Sequence, residues 1–172
     1  GVFKTPMVDL LPFLTAGLIL WTFVVGTINE GCFCFISSET LIKQLPIPFF
    51  VFVIRVVWRN LLLLAHQIVI LPVVLVMMGS NISLTTFLAI PAIILVVLFL
   101  SSLVFFFAIF CARYRDLSQI VSNVLQVAFY LTPIIWMPSL LPERLGAVIL
   151  DWNPFYHLIE LLRAPLLSSA PS

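Results

Sequence analysis

Four stretches of the chain are apolar for long enough to cross a bilayer. A span needs about 20 predominantly apolar residues, a length met at about residues 10–36, 54–78, 82–112 and 117–137. The second stretch has an amphipathic lead-in from Pro48, and the third is long enough to tilt or to begin in the interface. Only Gly79, Ser80 and Asn81 separate these two. After Pro138 the pattern changes. Residues 139–167 hold two shorter apolar runs, broken at Asp151 and Pro154. Neither is long enough to span, so they read as interfacial or re-entrant helices. The pattern predicts an all-α integral membrane protein, a single domain over 1–172, with four transmembrane helices and an outer segment at 139–167.

Polar groups inside a span are costly and usually face a bundle interior or a wet cavity, so their helical phase is informative. At about 100° per residue, Gln119, Ser122, Asn123, Gln126 and Tyr130 fall within about 100° of one another. The rest of that turn set, Ile120, Val121, Val124, Leu125 and Val127, is apolar. Amides and hydroxyls donate and accept in several directions, which suits sugar hydroxyls; the same groups also bond helix to helix. The stripe is therefore either a conduit lining or interhelical glue. In the second span Arg55, Arg59 and His66 lie within about 40°, with Asn60 and Gln67 beside them. The arginines can snorkel to the interface. His66 is expected in a hydrogen-bonded packing role, since no carboxylate is read in the adjacent span interiors to receive a proton. In the first span Thr15, Thr22, Gly26 and Asn29 share a face that would let another helix approach closely.

Composition agrees with a membrane chain. Hydrophobic residues are 63% of 172, charged residues 9%, and mean hydropathy is +1.25, whereas about a quarter of a soluble domain is charged. A net charge of +1 gives no basic field for nucleic acid. Five of the eight basic residues, Lys43, Arg55, Arg59, Arg113 and Arg115, fall in two regions, 37–59 and 112–116. Both lie on the same side of a four-span chain, and the excess of Lys and Arg assigns that side to the cytoplasm. Trp21, Trp136, Trp152 and Tyr156 lie towards the outer side, as an aromatic belt or as surfaces for sugar rings. The segments GVFKTPMVDLLPFL and LLRAPLLSSAPS at the two ends give the chain the aspect of a piece of a longer membrane protein.

Several chemistries find no residues to carry them. There is no phosphate-cradling G-x-x-x-x-G-K-[ST] loop, no H-E-x-x-H, no G-x-S-x-G elbow and no intramembrane aspartate pair. Cys32, Cys34 and Cys111 lie in apolar stretches, and C-x-C alone is no zinc site. No catalytic or metal-binding residue is expected. Asn81 heads an N-I-S sequon, which matters only in a glycosylating compartment.

The stretch ARYRDLSQIVSNVLQVAFYLTPIIWMPSLLP, followed by DWNPFYHLIELLRAPL, resembles the C-terminal half of ABC-2 type permeases. These are the membrane subunits of ABC exporters for O-antigen, capsule and teichoic-acid polymers. LIKQLPIPFFVFVIRVVWRNLLLLAH is similar to the loop and following helix of the same family. The resemblance implies six spans, of which these four would be the second to fifth, with an outer gate of short re-entrant helices at 139–167. It implies a homodimer of permeases in a bacterial cytoplasmic membrane, a separate ABC ATPase subunit carrying ATP and Mg, and no cofactor in this chain. The loop 37–50, with Glu39, Lys43 and Gln44, would dock on the ATPase. Arg113, Arg115 and Asp116 would form the second cytoplasmic turn, as topology anchor or as ATPase contact, with Asp116 capping the helix that follows. Thr132 and Pro133 would kink the fifth span, the Thr covering the freed carbonyl. Trp136, Asn153, Pro154 and Tyr156 would belong to the gate, where Glu160 and Arg163 can pair. The expected cargo is a polysaccharide or lipid-linked glycan; the alternatives are a drug or lipid permease, and a passive channel or structural subunit.

Overall fold

The first apolar stretch forms one helix, α1 (Met7–Ser37), about 46 Å long at 1.5 Å per residue, and every other long helix packs on it. In the computed structural model, residues 7–77, 89–135, 150 and 152–167 are described. Seven helices lie among them. After α1 come α2 (Glu39–Gln44), α3 (Phe49–Ile68) and α4 (Ile70–Met77), then α5 (Ala89–Arg113), α6 (Leu117–Leu131) and α7 (Pro154–Leu167). No strand occurs among the described residues. Three segments are long and apolar enough to cross a membrane: Leu10–Ser37, Phe49–Val74 and Ala89–Arg113.

Lipid tails are as apolar as leucine, so close packing rather than the hydrophobic effect must hold such helices together. Small residues make that packing possible. On α1, Thr27 is fully buried and Gly31 faces Val104 of α5, where a Cβ would come within 2.6 Å of a valine methyl. The facing side of α5 is a line of Ala92, Val96, Leu100, Val104, Ala108 and Cys111, all buried. Towards α3, a Cβ on Gly26 would lie 2.9 Å from the Asn60 amide oxygen. The α1–α5 and α1–α3 contacts are the most extensive in the bundle, and nothing comparable joins α3 to α6. α1 is thus covered by α3 on one flank, α5 behind and α6 with α7 on the other flank.

The second expected span begins earlier than residue 54. α3 starts directly after Pro48, whose fixed φ suits the residue before a helix, and continues through a break at Val69 into α4. Among the described residues of the fourth expected span, 117–137, the helix covers Leu117–Leu131. Fifteen residues rise about 22 Å, less than the roughly 30 Å of a bilayer core. The helix stops because Thr132, preceding Pro133, takes an extended backbone, φ −87° and ψ 135°, as the proline ring requires of its neighbour. The chain breaks here instead of kinking and going on. Thr132 Oγ1 donates to the Ala128 carbonyl at 2.8 Å, not to the carbonyl of Phe129 that the proline leaves without a donor.

The outer half of the bundle is completed by α7. Its first turn lies beside Trp21, whose ring is 5.7 Å from both Phe129 at the end of α6 and Phe155 at the start of α7. Eight residues away on both helices, the Arg163 guanidinium stacks on the Phe13 ring at 3.9 Å. α7 therefore runs antiparallel to α1, climbing about 12 Å from mid-depth towards the end that α1 starts from. α6 and α7 together cover the depth that one span would. Residues 136–149 and 151, with Trp136 and the first part of the expected gate, lie outside the described residues, as do the 79–81 turn and the Asn81 sequon.

Candidate functional site

The bundle's outer surface divides into two unlike faces. On α5 the large exposed side chains, Ile90, Ile94, Leu95, Leu98, Phe99, Phe105, Phe106, Ile109 and Phe110, are apolar; before Arg113 at its end the one exposed polar residue is Ser102, whose hydroxyl bonds back to Leu98 O at 3.1 Å. Between α3 and α6, where no described residue covers α1, the surface carries polar groups. The open strip of α1 carries Thr15, Thr22 and Asn29 among Leu11, Leu18 and Phe33. Both threonines bond back to their own helix, Thr15 to Leu11 O at 2.8 Å and Thr22 to Leu18 O at 2.7 Å. Among the described residues no helix docks on these two threonines; of that expected set Gly26 is closely approached by α3 and Asn29 by α6.

α6 borders this strip with its polar stripe. It buries Ser118, Val121, Leu125 and Ala128 and leaves Gln119, Asn123, Gln126 and Tyr130 exposed. Ser122, at the stripe's inner edge, donates to Asn29 Oδ1 at 2.9 Å and ties α6 to α1. Gln119 donates to Asn123 Oδ1 at 3.2 Å along the same helix. Ser122 is thus the stripe residue that bonds α6 to α1. The exposed remainder sits beside an apolar ridge of Ile120, Val124, Val127 and Leu131.

On the other flank α3 contributes Arg55, Arg59 and His66, all exposed. Arg59 lies 3.6 Å from Glu30 on α1, and the buried Asn60 amide donates to the other Glu30 oxygen at 3.1 Å. Arg55 donates to Ser38 Oγ at 3.3 Å. Asn29, Glu30, Arg55 and Arg59 line an open cavity of about 590 Å³ between α1 and α3. Glu30 was overlooked in the sequence, where the span interiors read as free of carboxylate; a lone acid in an apolar helix is itself the signal. His66 has no hydrogen-bond partner among the described residues. It lies on the exposed side of α3, away from the buried face that centres on Asn60 and Leu64, so the packing role expected of it is not realised.

The two basic loops come together at one end. Glu39, Lys43 and Gln44 lie on α2, a six-residue helix with no buried side chain. Lys43 Nζ is 2.5 Å from Glu39 Oε1. That bond and the Lys43 charge hold the Glu39 carboxyl below the usual carboxylate range, against a smaller opposing effect of burial and with a still smaller contribution from the Arg115 charge. Arg113, Arg115 and Asp116 form the exposed α5–α6 turn, with the Arg113 guanidinium 5.9 Å from the Tyr114 ring. Asp116 occupies the N-cap position of α6, but in helical geometry and with no side-chain cap bond. The bond expected of it fails because a capping side chain needs extended backbone there.

At the far end Asn153 joins the two half-length helices. Its side-chain oxygen accepts from the Phe155 and Tyr156 amides at 3.0 and 3.3 Å, capping α7. Its Nδ2 donates to Thr132 Oγ1 at 3.0 Å. Arg163, buried to 2% exposure, pairs with Glu160 and also donates to the Pro133 carbonyl at 3.0 Å. Pro154 opens α7, the position where a missing N–H costs nothing. Trp152 is 87% exposed, whereas Trp21 is buried between α6 and α7 and is no belt residue.

A helix hub with three segments long and apolar enough to cross a membrane, one outer face apolar and the other carrying polar groups, defines a multi-pass integral membrane protein. The model of the ABC-2 type transporter family matches residues 2–167, and the chain belongs to that family. Two relatives, both named O-antigen export system permease protein RfbA, from Klebsiella pneumoniae, are each 28% identical to it over 92% of this chain. The chain spans 62% of the length of each.

Proposed function

We propose that this chain is the membrane permease of an ATP-driven exporter that moves a polysaccharide or lipid-linked glycan outward across a bacterial cytoplasmic membrane. The contrast between the two outer faces carries the proposal. Lipid asks nothing of a helix face but apolarity, and from Ile90 to Phe110 the exposed face of α5 is apolar except for Ser102, whose hydroxyl bonds back to its own helix. The strip from Arg59 and Glu30 through Thr22 and Asn29 to Asn123, Gln126 and Tyr130 meets something that hydrogen-bonds. Uncharged amides and hydroxyls match sugar hydroxyls in many registers, so a chain can slide past without being trapped. The names of the relatives at 28% identity point to the same cargo class.

In this reading a second permease copy closes the conduit. An ABC ATPase, holding ATP and Mg that this chain does not hold, docks at Glu39, Lys43 and Gln44 and at the turn of Arg113, Arg115 and Asp116. Closure of the ATPase moves α2 and with it α1 and α3, joined by the Arg55–Ser38 and Arg59–Glu30 contacts. Thr132, Pro133, Trp136, Asn153, Pro154 and Tyr156 belong to the outer gate. The test is deletion of the full-length gene, with fractionation of cell-associated glycan. Polymer accumulating inside the cell, restored to the surface by the wild-type gene, supports the reading. Copurification of the full-length protein with a Walker-motif ATPase is its second requirement. Unchanged surface glycan together with loss of drug or lipid efflux assigns another cargo.

A further inference from the structure

Beneath α2, on the apolar side of the bundle, lies a second groove, whose rim the transport reading gives to the ATPase but whose apolar interior it does not use. It encloses about 470 Å³ and is open to the lipid-facing surface of α5. Its walls are aromatic and aliphatic. Phe35 meets Phe49 with ring centroids 5.7 Å apart and Phe105 at 6.3 Å, and Ile109 continues the wall towards the end of α5. Its rim is charged, with Lys43 and Glu39 from α2 and Arg115 from the α5–α6 turn. Lys43 spends one of its three donors on Glu39. Arg115 makes no ion pair or side-chain hydrogen bond among the described residues. The groove therefore offers an apolar slot, a guanidinium without an ion pair and an ammonium with two donors to spare, placed where α5 leaves the membrane.

We propose that this groove binds one anionic phospholipid, its phosphate held by Arg115 and Lys43 and the start of one acyl chain laid against Phe35, Phe49 and Phe105. Each part of the ligand meets its chemical match. Basic pockets between spans at the positively charged side of a membrane protein are suited to anionic headgroups. A free phosphate finds only the rim, which Glu39 partly neutralises, so the tail supplies part of the affinity. Bound there, the lipid fills the space between α2 and α5 and braces the helix on which an ATPase would dock. The inference stands on the groove alone and holds whatever the cargo is.

Native mass spectrometry of the full-length protein, released from detergent with equimolar phosphatidylglycerol and phosphatidylcholine, tests it. The expected result is retention of phosphatidylglycerol about five-fold over phosphatidylcholine, the factor one basic residue contributes at an anionic surface. Arg115→Gln removes that preference. Arg113→Gln, two residues away but outside the groove, leaves it. Soluble glycerol 1-phosphate at the same concentration does not compete. Equal retention of both lipids by the wild type overturns the proposal, without recourse to any variant. So does an equal loss in Arg113→Gln, which signals a diffuse basic surface. Competition by glycerol phosphate makes the groove a free-phosphate site. Complete release of lipid on adding the ATPase subunit assigns it to that partner instead.

Discussion

Gly31 and Val104 show how little room the α1–α5 contact has. A Cβ on Gly31 would stand 2.6 and 3.0 Å from the two Val104 methyls, and Val104 is fully buried with no free side to turn to. Gly31→Ala should therefore destabilise by about 1–3 kcal/mol, the usual cost of overpacking. Gly31→Ala with Val104→Ala should recover most of the loss, which thermal unfolding of the four variants in detergent would measure. A double variant as unstable as the sum of the singles would refute close packing as the cause. Arg163 makes the opposite argument, for a buried charge that is fully used. It pairs with Glu160, donates to Pro133 O and stacks on Phe13. Arg163→Met keeps most of the volume but leaves the Pro133 carbonyl without its donor, at about 1–3 kcal/mol. Arg163→Lys should be nearly as harmful, since an ammonium cannot serve three partners in one plane. The Glu160–Arg163 pair was legible from its spacing of three. The Pro133 and Phe13 contacts were not, because they join residues 30 and 150 positions apart and depend on where α7 lies.

At the scale of elements, the broken span was half legible. T-P after an apolar run announces a helix end, and N-P announces a helix start. What no local signal told was that these two ends meet. Asn153 bonds Thr132 across a gap of 21 residues and caps α7 with its other atom, so one side chain both starts the second half-helix and fastens it to the first. Asn153→Ala should remove both functions and cost about 1–2 kcal/mol. Asn153→Asp should keep the cap and lose the amide donor to Thr132. If the aspartate variant is as stable as wild type, the tether contributes nothing and the cap alone holds α7. Thr132→Val provides the reciprocal measurement, deleting the acceptor and leaving the cap intact. The start of α3 was legible in another way. Pro48 and the amphipathic run after it marked the entry, though the apolar count alone placed the span several residues later.

For the whole molecule, the question is whether the polar face meets water and cargo or only other protein. Helical phase put Gln119, Ser122, Asn123, Gln126 and Tyr130 on one side of α6, but phase could not say which part of that side α1 covers. Packing decides it at Ser122, which is spent on Asn29, and leaves the others on the open side. Single cysteines in a background free of Cys32, Cys34 and Cys111 separate the two cases. Maleimide reacts with the thiolate, and a thiol facing lipid or packed protein ionises poorly. In the assembled transporter, cysteines at Thr22, Asn123 and Gln126 should label with a hydrophilic maleimide on the order of ten-fold faster than cysteines at Leu98 and Phe106. The comparison needs both nucleotide-free and ATP-bound states, because a conduit closed in one opens in the other. If Asn123 and Gln126 label no faster than Leu98 in either state, protein covers the stripe and its amides serve to hold helices together. If they label in one state only, the same residues report the opening of the path, and the polar face is the wall that the cargo passes.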